Sequence, residues 1–398
     1  MRILLITQYF YPENFKSNDI AFELAKRGHE ITVLCGIPNY PEGKYYKGYG
    51  ILKKRIEKIS GVKIYRVAQI PRGNNKILLS LNYLSYSFFA SVWVFFMSIF
   101  KKYDRIFVHA PSPITQGLPA ILMKKLQKIP LYFWVLDIWP DAMKSGGGIK
   151  NKRILNLVDC LVKYIYKYSD KILISSKRFT ESILSKGNFA SKIIYFPNWS
   201  LDFSFNKSEH QSNLVLPKGF VVLMAGNLGT AQDLKSVLKA ALLLKNHKHI
   251  KWIFVGNGSM KEWGEQFSRD NELSETVFFY GKYPQNAMPW FYHQANVLLI
   301  TLRSEFPHLK MVVPARLQSY MSAGKPIVGM IDGGTVDIIE EAKCGKCVPA
   351  GDAEGLSQLI FEMQNEPLEE MGKNARNYYK NNFTLEMCMN NLCEIMDI

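Results

Sequence analysis

Gly226-Asn227-Leu228-Gly229 stands between an apolar run, FVVLMAG, and a helical pattern that begins near Gln232. A glycine turn there lets backbone N–H groups approach an anion, and the helix end adds partial positive charge, which makes phosphate the natural ligand. A tight strand-to-helix turn with no ligand has the same spelling. Gly256-Asn257-Gly258 repeats the arrangement after WIFVG, where backbone can approach a ribose or a phosphate. Arg316 lies in VVPARLQSYMSAGKPIVG, where Pro314 can open a helix that runs to Gly324. An arginine in a first helical turn can direct its fork at a diphosphate and stabilise it as a leaving group, with Lys310 assisting as a point charge. Either side chain can equally be a surface cation.

In the first half the candidates sit near strand ends: Asp19 after the first strand, His109 in VHAPSP, and Asp137 with Asp141 in LDIWPDAM. Strand-end carboxylates and imidazoles facing a cleft orient hydroxyls or accept a proton; helix capping and a satisfied core histidine are the competing explanations. No His, Cys and Glu cluster has metal-ligand spacing and no GxSxG elbow occurs. Cys344-Gly-Lys-Cys347 has redox or metal spacing without a second pair, and reads as a tight glycine turn. The six cysteines form no disulfide framework, and MRILLITQYF reads as a first strand rather than a leader, so a reducing cytosolic setting is expected.

Short apolar runs must position these groups. ILLITQYF, EITVLCG, VKIYRVAQI, DRIFVHA, LYFWVLDIW, KILISS and KIIYFPN alternate with helical patterns, which predicts a doubly wound α/β domain with a parallel sheet. Ser17 or Asn18 is expected to cap the first helix and Gly28 to end it. After Pro197-Asn198 a polar stretch without periodicity marks a linker, and the same alternation restarts with FVVLMAG, WIFVG, VFFYG, NVLLITL and PIVGMI. The expected organisation is a domain at 1–196, a linker at 197–218, a second domain at 219–376, and a helical segment at 377–398 packing back on the first. Ligands of such sheets bind at the carboxyl ends of the strands, between the halves.

Charge divides the same way. Residues 1–196 hold 31 Lys and Arg against 12 Asp and Glu, a net +19, whereas residues 197–398 hold 19 against 22, a net −3. A one-sided field of this size suits a polyanionic surface, either nucleic acid or anionic lipid. Residues 77–100 carry no charge and are long enough to span a bilayer. Spanning would part the strands on either side of the segment, so a crossover helix is the better reading. Ser80, Ser87, Ser91 and Ser98 share one narrow face, expected to dock on the sheet, while Phe89, Trp93, Phe96 and Phe100 fall opposite and face lipid or core. Lys101, Lys102 and Arg105 follow, and Lys53-Lys54-Arg55 and Lys124-Lys125 can extend a basic surface.

ITQYFYPEN, ELAKRGHEITVL, PNYPEGKYYKGYG, LDIWPD, FPN, AGNLGTAQDL, FVGNGSM and PARLQSYMSAGKPI, in this order, resemble the retaining glycosyltransferases of family 4. PNYPEGKYYKGYG and AGNLGTAQDL are most similar to the bacterial O-antigen and capsule branch that includes N-acetyl-L-fucosamine transferases. The resemblance implies a GT-B fold of two Rossmann-like domains, a nucleotide-sugar donor on the second, an acceptor on the first, and no cofactor or metal. It puts Gly226 to Gly229, Asn227 among them, at the donor diphosphate with Arg316 near them, Gly281 and Lys282 near the base, His109 near the donor sugar, and Asp19 and Asp137 on the acceptor side; Gln232, Gly256, Lys310 and Ser319 join them as candidates for donor binding. The chain departs from the pattern in four places. The glycine pair after the first strand is missing from PENFKSND, the donor-loop Arg and Lys are Asn227 and Gln232, and the Glu-x7-Glu pair falls on Met311 and Ser319. Gln318 is the nearest substitute for the lost carboxylates.

The expectation is a UDP-sugar transferase acting on a polyprenyl-diphosphate-linked saccharide at the cytoplasmic face of a bacterial membrane. The rivals are a GT-B epimerase or another nucleotide-sugar enzyme, and a non-enzymatic nucleotide or nucleic-acid binder. Only the charged first half supports the last, with no helix-turn-helix, RRM or zinc signature beside it.

Overall fold

A computed structural model describes residues 1–204 and 214–398 apart from Asn74, Gly148, Lys150 and Ser304, so residues 205–213 of the expected linker lie outside the described residues. The chain divides into two units, Met1–Phe196 with Met389–Ile398, and Pro197–Cys388.

The first unit runs β1 (Arg2–Ile6), α1 (Lys16–Lys26), β2 (Glu30–Gly36), β3 (Ile56–Ile59), β4 (Val62–Val67), α2 (Lys76–Phe100), β5 (Arg105–Ala110), α3 (Gly117–Gln127), β6 (Leu131–Val135), α4 (Asp141–Gly147), α5 (Lys152–Tyr168), β7 (Lys171–Ile174), α6 (Phe179–Leu184) and β8 (Ile193–Tyr195). Its sheet has the order β3-β4-β2-β1-β5-β6-β7-β8. All neighbours are parallel except β3, which pairs antiparallel with β4. The central strands RILLI and LYFWV are near-continuous apolar runs because helices cover both faces of such a sheet. Strand β3, IEKI, is absent from the sequence expectation; a four-residue edge strand with alternating charge has little apolar signal.

Helix α1 begins one residue before the expected caps. Phe15 is its N-cap, and Asn18 instead accepts from Tyr11 N (2.9 Å) and donates to Glu13 O (2.7 Å), bracing the loop that follows β1. Gly28, at φ +89°, ends it as expected for an αL residue past a helix end.

Strands β4 and β5 belong to one sheet, which makes α2 a crossover helix although it is long and apolar enough to cross a bilayer. It packs on α3 and the sheet, and its buried face carries Asn82, Tyr86, Ser87, Ala90, Val94 and Met97. The expected serine face is therefore only half right. Ser87 is buried, but Ser80 and Ser98 donate to their own helix at Lys76 O (2.9 Å) and Phe95 O (2.7 Å) and stay off the packing face. Trp93 is not on the open face either: its ring lies tilted against Tyr65, with centroids 5.6 Å apart. The outer face is apolar and open, with Leu84, Phe88, Phe96 and Phe100 at 59%, 64%, 54% and 79% exposure.

The second unit runs β9 (Phe220–Ala225), α7 (Leu234–Leu243), β10 (Ile250–Val255), α8 (Lys261–Asp270), β11 (Val277–Gly281), α9 (Met288–Gln294), β12 (Val297–Thr301), α10 (Arg316–Ser322), β13 (Ile327–Met330), α11 (Gly334–Glu341), β14 (Gly345–Val348), α12 (Ala353–Met363) and α13 (Leu368–Asn382). The sheet is wholly parallel in the order β11-β10-β9-β12-β13-β14, with an apolar core on each face.

Residues 197–204 belong to this unit rather than to a free linker, because Phe203 packs in its core and Asp202 forms a forked ion pair with Arg376 at 2.5 and 2.6 Å. The unit also extends beyond residue 376, since Tyr379 and Phe383 of and after α13 fill the same core. The last helix, α14 (Leu385–Met396), groups with the first unit only from Met389 on, where Arg27 and Arg105 reach Cys393 Sγ (3.5 Å) and Met396 O (2.9 Å). Gly345 opens β14 rather than making a turn, its Cα so close to Ile327 O that a Cβ would stand 1.8 Å away, and the flanking cysteines are free.

Candidate functional site

Three neighbouring strands of the second unit, β9, β10 and β11, end in Gly226, Gly256 and Gly281, all at positive φ (+118°, +146°, +70°). Gly226 N donates to Val255 O (2.8 Å) and Gly256 N to Gly281 O (2.6 Å), so the ladder continues into the loops. The loops then interlock. A Cβ on Gly256 would stand 1.8 Å from Gly226 O, and one on Gly258 2.3 Å from the Leu228 carbonyl carbon, a spacing that admits glycine alone.

This packing corrects the expected role of the first loop. Three of its four N–H groups are already used, Leu228 N on Asn257 O (2.9 Å), Gly229 N on Gln232 Oε1 (3.1 Å) and Gly226 N within the ladder, which leaves that of Asn227, a residue on the cavity lining, for a ligand. The glycines serve close approach of backbone rather than an N–H cradle. Gln232 is the loop's cap, and α7 starts only at Leu234, after Asp233 accepts from Ser236 N. Neither Gly229 nor Gln232 lines the cavity that opens above the strand ends.

That cavity, about 670 Å³, is lined by Gly226, Asn227, Gly256, Lys282, Arg316 and Ser319 among others, and among the described residues no carboxylate lines it. Arg316 is held in place by its own helix: one turn on, the Tyr320 hydroxyl accepts from Ala225 N (2.8 Å) and lies 3.3 Å from Ala225 O, tying α10 to the end of β9. Arg316 Nη2 donates to Asn227 O at 3.4 Å, while Nη1 is buried and without a hydrogen-bond partner. A buried, charged N–H without an acceptor is costly unless a ligand supplies one. With Lys282 on the rim, the cavity presents two cations and suits an anion. Ser319 lines it and meets Ser200 Oγ at 3.0 Å.

Two expected donor residues lie elsewhere. Lys310 pairs with Asp332 at 3.1 Å, outside the cavity lining. Gln318 is buried beneath α10 with its amide nitrogen 3.2 Å from the Pro314 and Ala315 carbonyls, because its position on the helix faces the core. A second cavity of about 540 Å³, near the amino ends of β12 and β13, holds Arg376 and Lys373, but both are already matched by Asp202 and Glu369.

In the first unit His109 closes β5 and is buried, its Nδ1 3.3 Å from Thr7 Oγ1 and its ring 5.4 Å from Trp134. Burial, with the Lys16 charge nearby, pushes it down to about 3, so the imidazole is neutral and can exchange hydrogen bonds but not hold a charge. Asp19 lies on α1 beside Lys16 at 3.8 Å. Burial pushes Asp137, just past β6, up to about 7, which gives it both protonation states near neutrality. Asp141 pairs with Lys144 (2.7 Å) in the first turn of α4, the structural alternative.

Sequence reasoning missed Glu13. It is buried, accepts from Asn39 N and Tyr40 N (2.7 Å each) and Phe10 N (3.3 Å), and burial pushes it up to about 7 against those donors. Its carboxylate joins the loops that follow β1 and β2. The motif YPEN contains it, but nothing local distinguishes a loop-bracing glutamate from a solvated one. Among the described residues no group of three or more His, Cys, Asp or Glu is placed to hold a metal ion.

Residues 205–381 match the family model described as glycosyl transferases group 1. The match falls almost wholly within the second unit. The two parallel-sheet units have the GT-B fold, as in two solved structures: HepE of Anabaena in complex with UDP, at TM-score 0.73 and 15% identity with 100% of both chains covered, and sucrose-phosphate synthase from Thermosynechococcus elongatus, at 0.74 and 14% with 100% of this chain and 98% of that one. Among curated proteins, the putative colanic acid biosynthesis glycosyl transferase WcaI of Escherichia coli K12 is 25% identical over 268 residues, which is 64% of this chain and 65% of WcaI. The alignment thus spans about two thirds of either chain.

Proposed function

We propose that the protein is a retaining glycosyltransferase that moves a sugar from a nucleoside-diphosphate donor, UDP first among the candidates, to a polyprenyl-diphosphate-linked saccharide in bacterial envelope polysaccharide synthesis. The observation that carries this reading is the cavity beside Gly226 and Gly256, which no carboxylate among the described residues lines, with Arg316 on its wall and Nη1 of that guanidinium buried without a hydrogen bond of normal geometry. As the bond between the anomeric carbon and the β-phosphate oxygen breaks, negative charge gathers on the leaving diphosphate, and a guanidinium fixed beforehand stabilises that charge most. The acceptor oxygen forms the new bond to the same carbon, and its proton passes to the departing phosphate. No protein nucleophile or metal enters this scheme. By resemblance the transferred sugar is an N-acetylated deoxyhexosamine such as N-acetyl-L-fucosamine, and His109, Asp19 and Asp137 orient sugar and acceptor.

A thermal-shift panel of nucleoside diphosphates without added metal tests it. A ligand that binds only the folded state at 100 times its Kd adds about 2.7 kcal/mol, so UDP is expected to raise the melting temperature by several degrees. A folded sample that no nucleoside diphosphate stabilises would refute the reading.

The same proposal places the first unit on the anionic, cytoplasmic face of a membrane. The support is the open apolar face of α2 beside the +19 half of the chain. Some basic neighbours are already engaged: Lys101 Nζ donates to the Tyr65 hydroxyl (2.6 Å) and Lys124 pairs with Asp170 (2.5 Å). Phe88→Asp with Phe95→Asp, both at exposed positions, should keep the fold and lower partitioning onto phosphatidylglycerol vesicles at least tenfold. Sedimentation with vesicles checks it; unchanged binding by the double variant contradicts lipid contact through α2.

A further inference from the structure

The first unit carries a second incompletely satisfied group of donors, at the carboxyl ends of three adjacent strands. Tyr9 follows β1, Tyr40 follows β2 and Arg72 follows β4, and these strands are neighbours in the order β4-β2-β1. The Tyr9 ring is buried, stacked on Phe15 at 5.0 Å and 5.5 Å from the Tyr40 ring, yet its hydroxyl makes no hydrogen bond of normal geometry. Arg72 is fixed through its backbone N–H on Asn39 Oδ1 (3.0 Å), and its guanidinium lies 5.0 Å over the Tyr40 ring. Among the described residues no carboxylate pairs with that guanidinium, and it lies near enough to Tyr9 to act on its hydroxyl electrostatically, as does Tyr83 of α2. The one carboxylate close by, Glu13, is occupied by three backbone N–H groups.

The Tyr9 phenol oxygen can accept from the Arg72 guanidinium, which leaves the Tyr9 O–H and the other guanidinium N–H groups as donors without an acceptor. An anionic oxygen between them would accept from both, and charge-assisted bonds of this kind are the strong ones. The Tyr40 ring keeps the guanidinium flat and in position. The place of this pair in the chain points to the ligand's other half: α2 starts at Lys76, four residues after Arg72, and Ile77, Leu81 and Leu84 open its apolar outer face.

We propose that Arg72 and Tyr9, backed by the Tyr40 ring, form a subsite for a phosphoryl group of an amphiphilic acceptor whose lipid chain lies along the outer face of α2. The proposal rests on the transferase reading and adds to it the residues that read the acceptor's phosphate. It also gives the buried Tyr9 O–H an acceptor, which the surrounding side chains do not supply.

The test measures equilibrium binding of farnesyl diphosphate, inorganic pyrophosphate and farnesol to the full chain, with UDP saturating so that the second unit's cavity is filled. Farnesyl diphosphate is expected to bind at least tenfold more tightly than either fragment. Arg72→Ala should weaken it tenfold or more, Arg72→Lys less, and Tyr9→Phe three- to tenfold, with the UDP-induced thermal shift unchanged in all three. Tyr9→Phe removes a hydroxyl whose hydrogen-bonding partner is the Arg72 guanidinium, so its ligand-free melting temperature should stay within a few degrees of the parent while the affinity falls, which separates a binding role from a structural one. Equal affinity of Arg72→Ala for farnesyl diphosphate overturns the subsite. Pyrophosphate binding as tightly as the prenyl ester overturns the amphiphile, and farnesol doing so overturns the phosphoryl contact. A parent chain that ignores UDP while binding the prenyl diphosphate through Arg72 would sink the transferase reading and leave this subsite standing.

Discussion

Arg316→Ala is expected to lower kcat/KM for the donor by about 10²- to 10³-fold, the range seen when one preorganised donor to a developing charge is removed. The size follows from what else the cavity offers. The first glycine loop spends three of its four N–H groups on Val255, Asn257 and Gln232, the positions of the usual donor-loop cations are Asn227 and Gln232, and Lys310 is held by Asp332. Lys282 is the remaining cation on the lining, and it is exposed on a flexible stem. Charge on a departing diphosphate therefore falls mainly on one guanidinium. Lys282→Ala should cost less, about tenfold or below, because an exposed charge is screened by solvent. Arg316→Lys should recover only part of the loss, since a point charge cannot fork onto two oxygens. Steady-state kinetics with the donor varied checks this. Turnover by Arg316→Ala within threefold of the parent would show that the leaving group is stabilised elsewhere.

The features legible in the sequence were those with a local signature. Buried parallel strands such as LYFWV announce themselves as apolar runs, and the junction at Phe196 shows as a loss of periodicity. Arg316 was legible because Pro314 and Gly324 bracket its helix. What escaped depended on contacts distant in sequence. That Gln318 points into the core while Ser319 lines the cavity is a 100° rotation on a seven-residue helix, and only the packing of Tyr320 on Ala225 decides it. Glu13 and Arg72 look like ordinary loop charges until the loops after β1, β2 and β4 meet. The packing face of α2 was misassigned for a related reason. Serine periodicity identified small residues, whereas the contact with α3 and the sheet is made by Tyr86, Ala90, Val94 and Met97. On an all-apolar helix the hydrophobic pattern does not say which side is covered.

Gly256→Ala is expected to be among the most destabilising single-methyl changes in the second unit. Its backbone sits at φ +146°, which alone disfavours an L side chain, but strain of that sort costs only about 1 kcal/mol. The larger contribution is steric. The new Cβ would lie 1.8 Å from Gly226 O and 2.9 Å from its carbonyl carbon, so the ends of β9 and β10 must part. Parting them strains the Gly226 N to Val255 O and Gly256 N to Gly281 O bonds and shifts Gly226, against which the Arg316 guanidinium rests at 3.5 Å from where a Cβ would stand. A loss of about 3 kcal/mol or more, hence roughly 6–12 °C in melting temperature, should accompany loss of UDP binding. Gly28→Ala separates the two causes. Gly28 also has positive φ, +89°, but nothing lies within 4 Å of its missing Cβ, so it should cost about 1 kcal/mol and leave UDP binding intact. Calorimetry of both variants with and without UDP distinguishes them. Equal losses in the two would mean that backbone conformation alone makes Gly256 necessary, and that the glycine loops of the second unit need not touch to shape the site.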